Sequence, residues 1–152
     1  MTDYTIDAQF TNLIMVGVTP IGVRLDAEFV GEVTSGPMVG AEFTGTDFLL
    51  LRQDGVGQVD VRARLTRGGS VIASEKYLGY VVPQGPLPDP AAMQSPDFTW
   101  PDGRIPMHGA AFWEAAAPEF AEFTRTVYGI TGWVDLGARS LHVEGTSLAP
   151  NV

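Results

Sequence analysis

Gly36-Pro37-Met38-Val39-Gly40-Ala41-Glu42-Phe43-Thr44-Gly45-Thr46-Asp47-Phe48-Leu49-Leu50-Leu51-Arg52-Gln53-Asp54-Gly55, continued by Gln58-Val59-Asp60-Val61-Arg62-Ala63-Arg64-Leu65-Thr66, Gly68-Gly69 and Gly79, is a run of short apolar segments punctuated by turn residues. Period two is clearest at residues 58–66, where Val59, Val61, Ala63 and Leu65 alternate with Asp60, Arg62 and Arg64. That spacing sends alternate side chains to opposite faces of a strand. Asp54-Gly55 and Gly68-Gly69 are hairpin dipeptides, because glycine accepts the positive φ a tight turn needs.

Working outward, residues 23–33 alternate in the same way, with Val23, Leu25, Ala27, Phe29 and Val33 opposite Arg24, Asp26, Glu28 and Glu32. Strands are expected at residues 23–33, 38–43, 48–52, 58–66 and 71–82, with a turn at Gly45-Thr46. Four strand-turn units without a helical period between them predict an antiparallel sheet, closed as a barrel or folded as a sandwich.

Eight of the eleven prolines fall at residues 83–118. Proline removes ladder donors, so this stretch is expected to avoid central strands. Yet it carries Met93, Phe98, Trp100, Met107, Phe112 and Trp113. The expectation is a long, ordered, aromatic loop lying on the sheet or over a barrel mouth. Pro118-Glu119 suits the first turn of a short helix that buries Phe120 and Phe123. Strands then return at residues 125–134 and 140–146. The whole, residues 1–152, reads as a single β-barrel domain.

Composition narrows the function. The chain has 152 residues, 45% of them apolar, enough for a real core. Its formal net charge of −9 repels phosphate backbones and anionic membranes, so neither nucleic acid nor membrane is an expected partner. No apolar stretch approaches the about 20 residues of a membrane span, and no signal peptide is evident at Met1-Thr2-Asp3-Tyr4. The absence of cysteine excludes disulfides and thiol chemistry. A cytoplasmic setting is the expectation.

The segments Gly36-Pro37-x-x-Gly40, Gly45-x-Asp47-Phe48, Arg52-x-Asp54-Gly55 and Asp60-x-Arg62-x-x-Leu65-Thr66 resemble the domain-of-unknown-function family numbered 3237, small bacterial and fungal proteins. Phe48 stands where that family usually has Trp, and Thr46 interrupts its usual glycine pair. The resemblance implies an all-β, antiparallel, calycin- or lipocalin-like barrel of about eight strands or more, with a cavity able to enclose one small molecule.

Several residues are candidates for chemistry inside such a cavity. Asp47 is either a buried carboxylate that moves protons or a turn cap. Asp60 and Arg62 project from one strand face, either into the barrel as a charged pair or into solvent beside Arg64. His108 and Trp113 lie in the aromatic stretch, with Glu114 beside them, and are candidates for a closing flap. Phe48 and Tyr128 are candidate wall residues. Tyr77 and Tyr80, like Tyr128, are either cavity hydroxyls or core. His142-x-Glu144 places two ligand types on one strand side, but no third is indicated, so no metal is expected.

The reading that follows is an enzyme without a redox cofactor, of isomerase, cyclase or lyase type. Asp47 would move the proton, Arg62, oriented by Asp60, would polarise the oxygen, and the substrate would be a small hydrophobic or aromatic carbonyl compound. The alternative is a non-catalytic carrier or sensor with the same cavity. A homodimer through edge strands or aromatic patches is compatible with either.

Overall fold

The computed structural model describes residues 2–151. Eight antiparallel strands close into an up-and-down barrel in chain order: β1 Tyr4–Thr19, β2 Gly22–Ser35, β3 Glu42–Arg52, β4 Gly57–Arg67, β5 Ser70–Val81, β6 Ile105–Ala115, β7 Val127–Asp135 and β8 Ser140–Ser147. Two short helices interrupt it, α1 Pro90–Met93 and α2 Ala121–Arg125, the second entered through a 3₁₀ turn over Pro118–Phe120. No helix among the described residues is long and apolar enough to cross a membrane. The antiparallel barrel expected from the sequence is the fold observed.

Strands β2 to β8 feed the interior by period two. Val59, Val61, Ala63 and Leu65 of β4 are buried, and so are Leu25, Ala27 and Phe29 of β2. The turns use the glycines the sequence offered: Gly55 has φ 90°, and Gly68 and Gly69 have φ 58° and 81°.

Three strand assignments differ from expectation. Residues 42–52 form one continuous β3, because Gly45-Thr46 stays extended opposite Ala63 and Arg62 instead of turning. Met38 lies in the turn before it and is buried. Strand β6 lies inside the stretch expected to be loop. Its one proline, Pro106, sits second in the strand, and Met107, Ala111 and Trp113 point inward in period two. Strand β1 was not expected at all. Register shifts between Phe10 and Asn12 and between Met15 and Gly17 break its alternation and hide it in the sequence.

The two barrel ends differ. At one end Tyr4, Trp113, Phe123 and Tyr128 form an aromatic plug, with Tyr4 edge-on to Trp113 at 5.8 Å and Phe123 stacked on Tyr128 at 5.2 Å. Trp113 Nε1 donates to Tyr4 Oη at 3.2 Å, so the plug's buried polar atoms are partnered. Phe120 and Phe123 of the short helical segment are buried as anticipated. The other end is a mouth, over which residues 82–104 run as a Pro-rich flap. Asp89 caps α1 by accepting the Ala91 amide. The flap is fixed to the β7–β8 turn, where Gly103 donates to Asp135 and Arg104 lies 4.0 Å above the Trp133 ring.

The strands are joined unequally around the wall. β1 pairs with β8 only from Tyr4 to Gln9, while its pairing with β2 runs on to Thr19. The β1–β2 hairpin therefore extends past β8 at the mouth.

Candidate active site

The flap and the mouth-end strands enclose a cavity of about 200 Å³. Its walls are Phe10, Ala27, Leu49, Leu51, Val81 and Trp100 with flap prolines, and Asp47 lies at its floor. Beneath it, toward the plug, is a void of about 30 Å³ bounded by Phe10, Phe29, Phe43, Met107 and other apolar side chains. Three polar residues face this void: Asp47, Glu75 and Tyr77. Asp47 lines both spaces and so stands where they meet.

Alternation places these groups. Asp47 is in phase with buried Phe43, Leu49 and Leu51 on β3, and is itself 9% exposed. Glu75 and Tyr77 are in phase with buried Ala73 and Val81 on β5, at 6% and 3% exposure. Across the sheet Asp47 pairs with Val61, Val61 with Tyr77, and Tyr77 with Ala111. The next row sets Gly45 against Ala63, Ala63 against Glu75, and Glu75 against Trp113. Small residues at 45, 63 and 111 leave room around the carboxyl groups. The Tyr77 ring lies over Gly79 and Gly109, where a Cβ would come within 2.8 Å of it.

Each polar group has a distinct state. Asp47 Oδ1 accepts the Asp60 amide at 3.0 Å. The ladder between β3 and β4 opens there, between the pairs Asp47–Val61 and Leu50–Gln58, and the carboxylate occupies the break. Burial pushes the Asp47 carboxyl up to about 7, with the amide and Arg24 opposing the rise and Asp60 and Asp26 adding to it. Glu75 has no hydrogen-bond partner among the described residues, and burial alone pushes it up to about 8. The Tyr77 hydroxyl is buried without a partner among the described residues, and burial together with the Asp47 and Glu75 charges raises its pKa.

Among the described residues no basic side chain lines the inner void. A carboxyl pair in an apolar chamber without a counter-cation holds protons near neutrality. The two carboxyls differ in environment: Asp47 accepts the Asp60 amide and also lines the mouth cavity, whereas Glu75 lines the inner void with no hydrogen-bond partner among the described residues.

The other residues expected in the cavity stand elsewhere. Asp60 and Arg62 are exposed on the outer wall of β4, because Val59, Val61 and Ala63 take the inner face. Phe48 follows Asp47 by one position and therefore points outward, 41% exposed. His108 and Glu114 are on the outer face of β6, in antiphase with Met107, Ala111 and Trp113. Tyr80 is likewise exposed. Trp113 and Tyr128 are interior but belong to the plug, so Trp113 closes no flap. The aromatic residue the flap does bring to the mouth cavity is Trp100.

Glu75 was not anticipated, because between Ser74 and Lys76 a charged residue in the strand expected at 71–82 reads as part of its solvent face. The available signal was its phase, two positions after Ala73 and two before Tyr77. His142 and Glu144 meet on the outside of the β1–β8 seam, where His142 Nδ1 donates to Asp7 Oδ1 at 2.7 Å. Among the described residues no group of three or more His, Asp or Glu side chains is placed to hold a metal ion.

Solved structures share this architecture. A conserved protein of unknown function from Rhodopseudomonas palustris aligns at a TM-score of 0.71 and 14% identity, over 96% of this chain and 94% of its own. A protein of unknown function from Clostridium acetobutylicum aligns at 0.72 and 14%, over 98% of each chain. A β-barrel-like protein from Acinetobacter baumannii aligns at 0.65 and 12%, over 97% and 94%. No family model and no curated protein matches the chain. Likeness at such identity shows the fold alone.

Proposed function

We propose that the barrel binds a small, apolar carbonyl compound and moves a proton on it without a redox cofactor. The observation that carries this reading is the meeting of Asp47, Glu75 and an unpartnered Tyr77 hydroxyl on one apolar void. Asp47, the carboxyl open to the mouth cavity, takes a proton from the carbon beside the carbonyl. The electron pair of that bond moves toward oxygen, where protonated Glu75 and the Tyr77 hydroxyl donate hydrogen bonds to the developing charge. Return of the proton to another carbon completes an isomerisation, and loss of a leaving group completes an elimination. The oxygen-polarising role expected of Arg62 passes to these two groups.

The absence of a cation inside the chamber favours a substrate that is neutral where it is buried. The resemblance to family 3237 belongs to the same proposal, with the closed barrel as its support. So does a cytoplasmic setting, for which the cysteine-free composition is the support.

The test is deuterium exchange at the α-carbon of simple apolar ketones, such as 2-cyclohexenone and α-tetralone, followed by NMR in heavy water. Wild type should accelerate exchange, and Asp47→Asn should lose it while remaining folded. Exchange that survives Asp47→Asn would remove Asp47 from the chemistry. The carrier reading is favoured by the largely apolar wall of the mouth cavity, to which Gln84, Asp102 and Arg104 of the flap add polar groups. Ketone binding without exchange, equal in wild type and Asp47→Asn, would select it.

A further inference from the structure

The outer wall of β4, β5 and β6 is laid out in rows of residues in register. From the plug toward the mouth these rows are Arg64–Ser74–Glu114, Arg62–Lys76–Phe112, Asp60–Leu78–Ala110 and Gln58–Tyr80–His108. Three of the nine basic residues, Arg62, Arg64 and Lys76, gather here, and none forms an ion pair among the described residues. Phe112 stands beside Lys76, and Leu78 and Tyr80 follow toward the mouth, at 45%, 41% and 41% exposure. Aromatic side chains with arginine on an otherwise acidic chain have the composition of an interface centre.

We propose that a second copy of this chain docks on this wall about a two-fold axis. The axis runs across the strands between the Arg62 row and the Asp60 row. A two-fold contact sets residue i against j and j against i, so the wall must complement itself. With the axis there, each strand faces its own reversed copy, and Arg62 meets Asp60 of the second copy. Glu114 meets His108, Arg64 meets Gln58, and the ring of Phe112 faces the small Ala110. The stem of Lys76 lies along Leu78.

Charge selects this register over its neighbours. Moving the axis toward the plug opposes Arg62 to itself or to Arg64. Moving it one step toward the mouth opposes Asp60 to itself. With a net charge of −9 on each chain, copies approach most readily where the basic residues collect.

The experiment is sedimentation velocity on the purified full chain, with circular dichroism to confirm folding. Wild type should sediment as a dimer. Arg62→Asp and Asp60→Arg should each weaken the dimer by on the order of tenfold or more, because each opposes like charges across the axis. The double variant Asp60→Arg/Arg62→Asp should restore it, since the exchanged charges again face their opposites. A monomeric wild type, a dimer indifferent to the single changes, or a double variant no better than the singles would each overturn the proposal.

Discussion

The backbone amide of Asp60 donates to the side chain of Asp47 across a gap in the β3–β4 ladder, at 3.0 Å. The two residues thus act together through a strand wall, with one side chain inside the barrel and the other outside. Asp47→Asn retains an oxygen to accept that amide and should unfold in urea close to wild type below pH 3.8, where the Asp47 carboxyl is protonated folded or unfolded. Asp47→Ala leaves the amide without its acceptor and should lose about 1–3 kcal/mol. Urea unfolding of the two variants side by side checks this.

Glu75 makes stability depend on pH. Burial lifts its carboxyl from 4.5 to about 8, so the folded chain keeps a proton that the unfolded chain releases. The associated stability is full below 4.5 and is lost as pH rises through about 8. Asp47 behaves alike between 3.8 and about 7. The loss for each is on the order of 4 kcal/mol across its window. Glu75→Gln should flatten the curve between 4.5 and about 8, with thermal melts across the pH range as the readout.

Tyr77→Phe removes a buried hydroxyl that has no partner. It should stabilise the fold by about 1 kcal/mol while slowing ketone exchange, the opposition expected where a site is held unsatisfied for use. Paired melting and exchange measurements decide it. A variant that is less stable would mean the hydroxyl is hydrogen-bonded in the protein.

His142 ties the barrel seam. Partial burial disfavours its charged form, but hydrogen bonds to Asp7 and Glu144 outweigh that and hold its pKa above 6.5. Its contribution is therefore full below 6.5 and fades as pH rises through the raised value. His142→Ala should cost about 0.5 kcal/mol in mild acid, as surface pairs do, and the gap from wild type should narrow in alkali. Unfolding in denaturant at two pH values measures the gap.

Much of the barrel was legible because period two is strict in β2, β4 and β5, where each inward residue is apolar or aromatic with the single exception of Glu75. Strand β1 escaped because its register shifts scatter Leu13, Ile14, Met15 and Val16 into an unbroken apolar run. Strand β6 escaped because the prolines before it suggested that the loop continued. Asp47 was legible as a lone acid inside an apolar strand. Arg62 and Asp60 were ambiguous, since alternation fixes which residues share a face but not which face is inward. The neighbouring Val59, Val61 and Ala63 settle that only once the barrel is closed. Glu75 was hidden by its neighbours Ser74 and Lys76, both on the opposite face.

The unequal joining of the strands has a consequence for how the chain reaches this shape. β2 through β5 are joined by tight turns, so their pairings cost little loop entropy and can form early. The seam instead brings together groups as far apart in the chain as Asp7 and His142, separated by 135 positions. It gains only the pairings from Tyr4 to Gln9 in return. Closure of the cylinder should thus be the late, slow event of folding. Until it happens, β1 and β8 are open edges and the carboxyls of Asp47 and Glu75 face water, so the acid chemistry of the chamber arises only with the last strand pair.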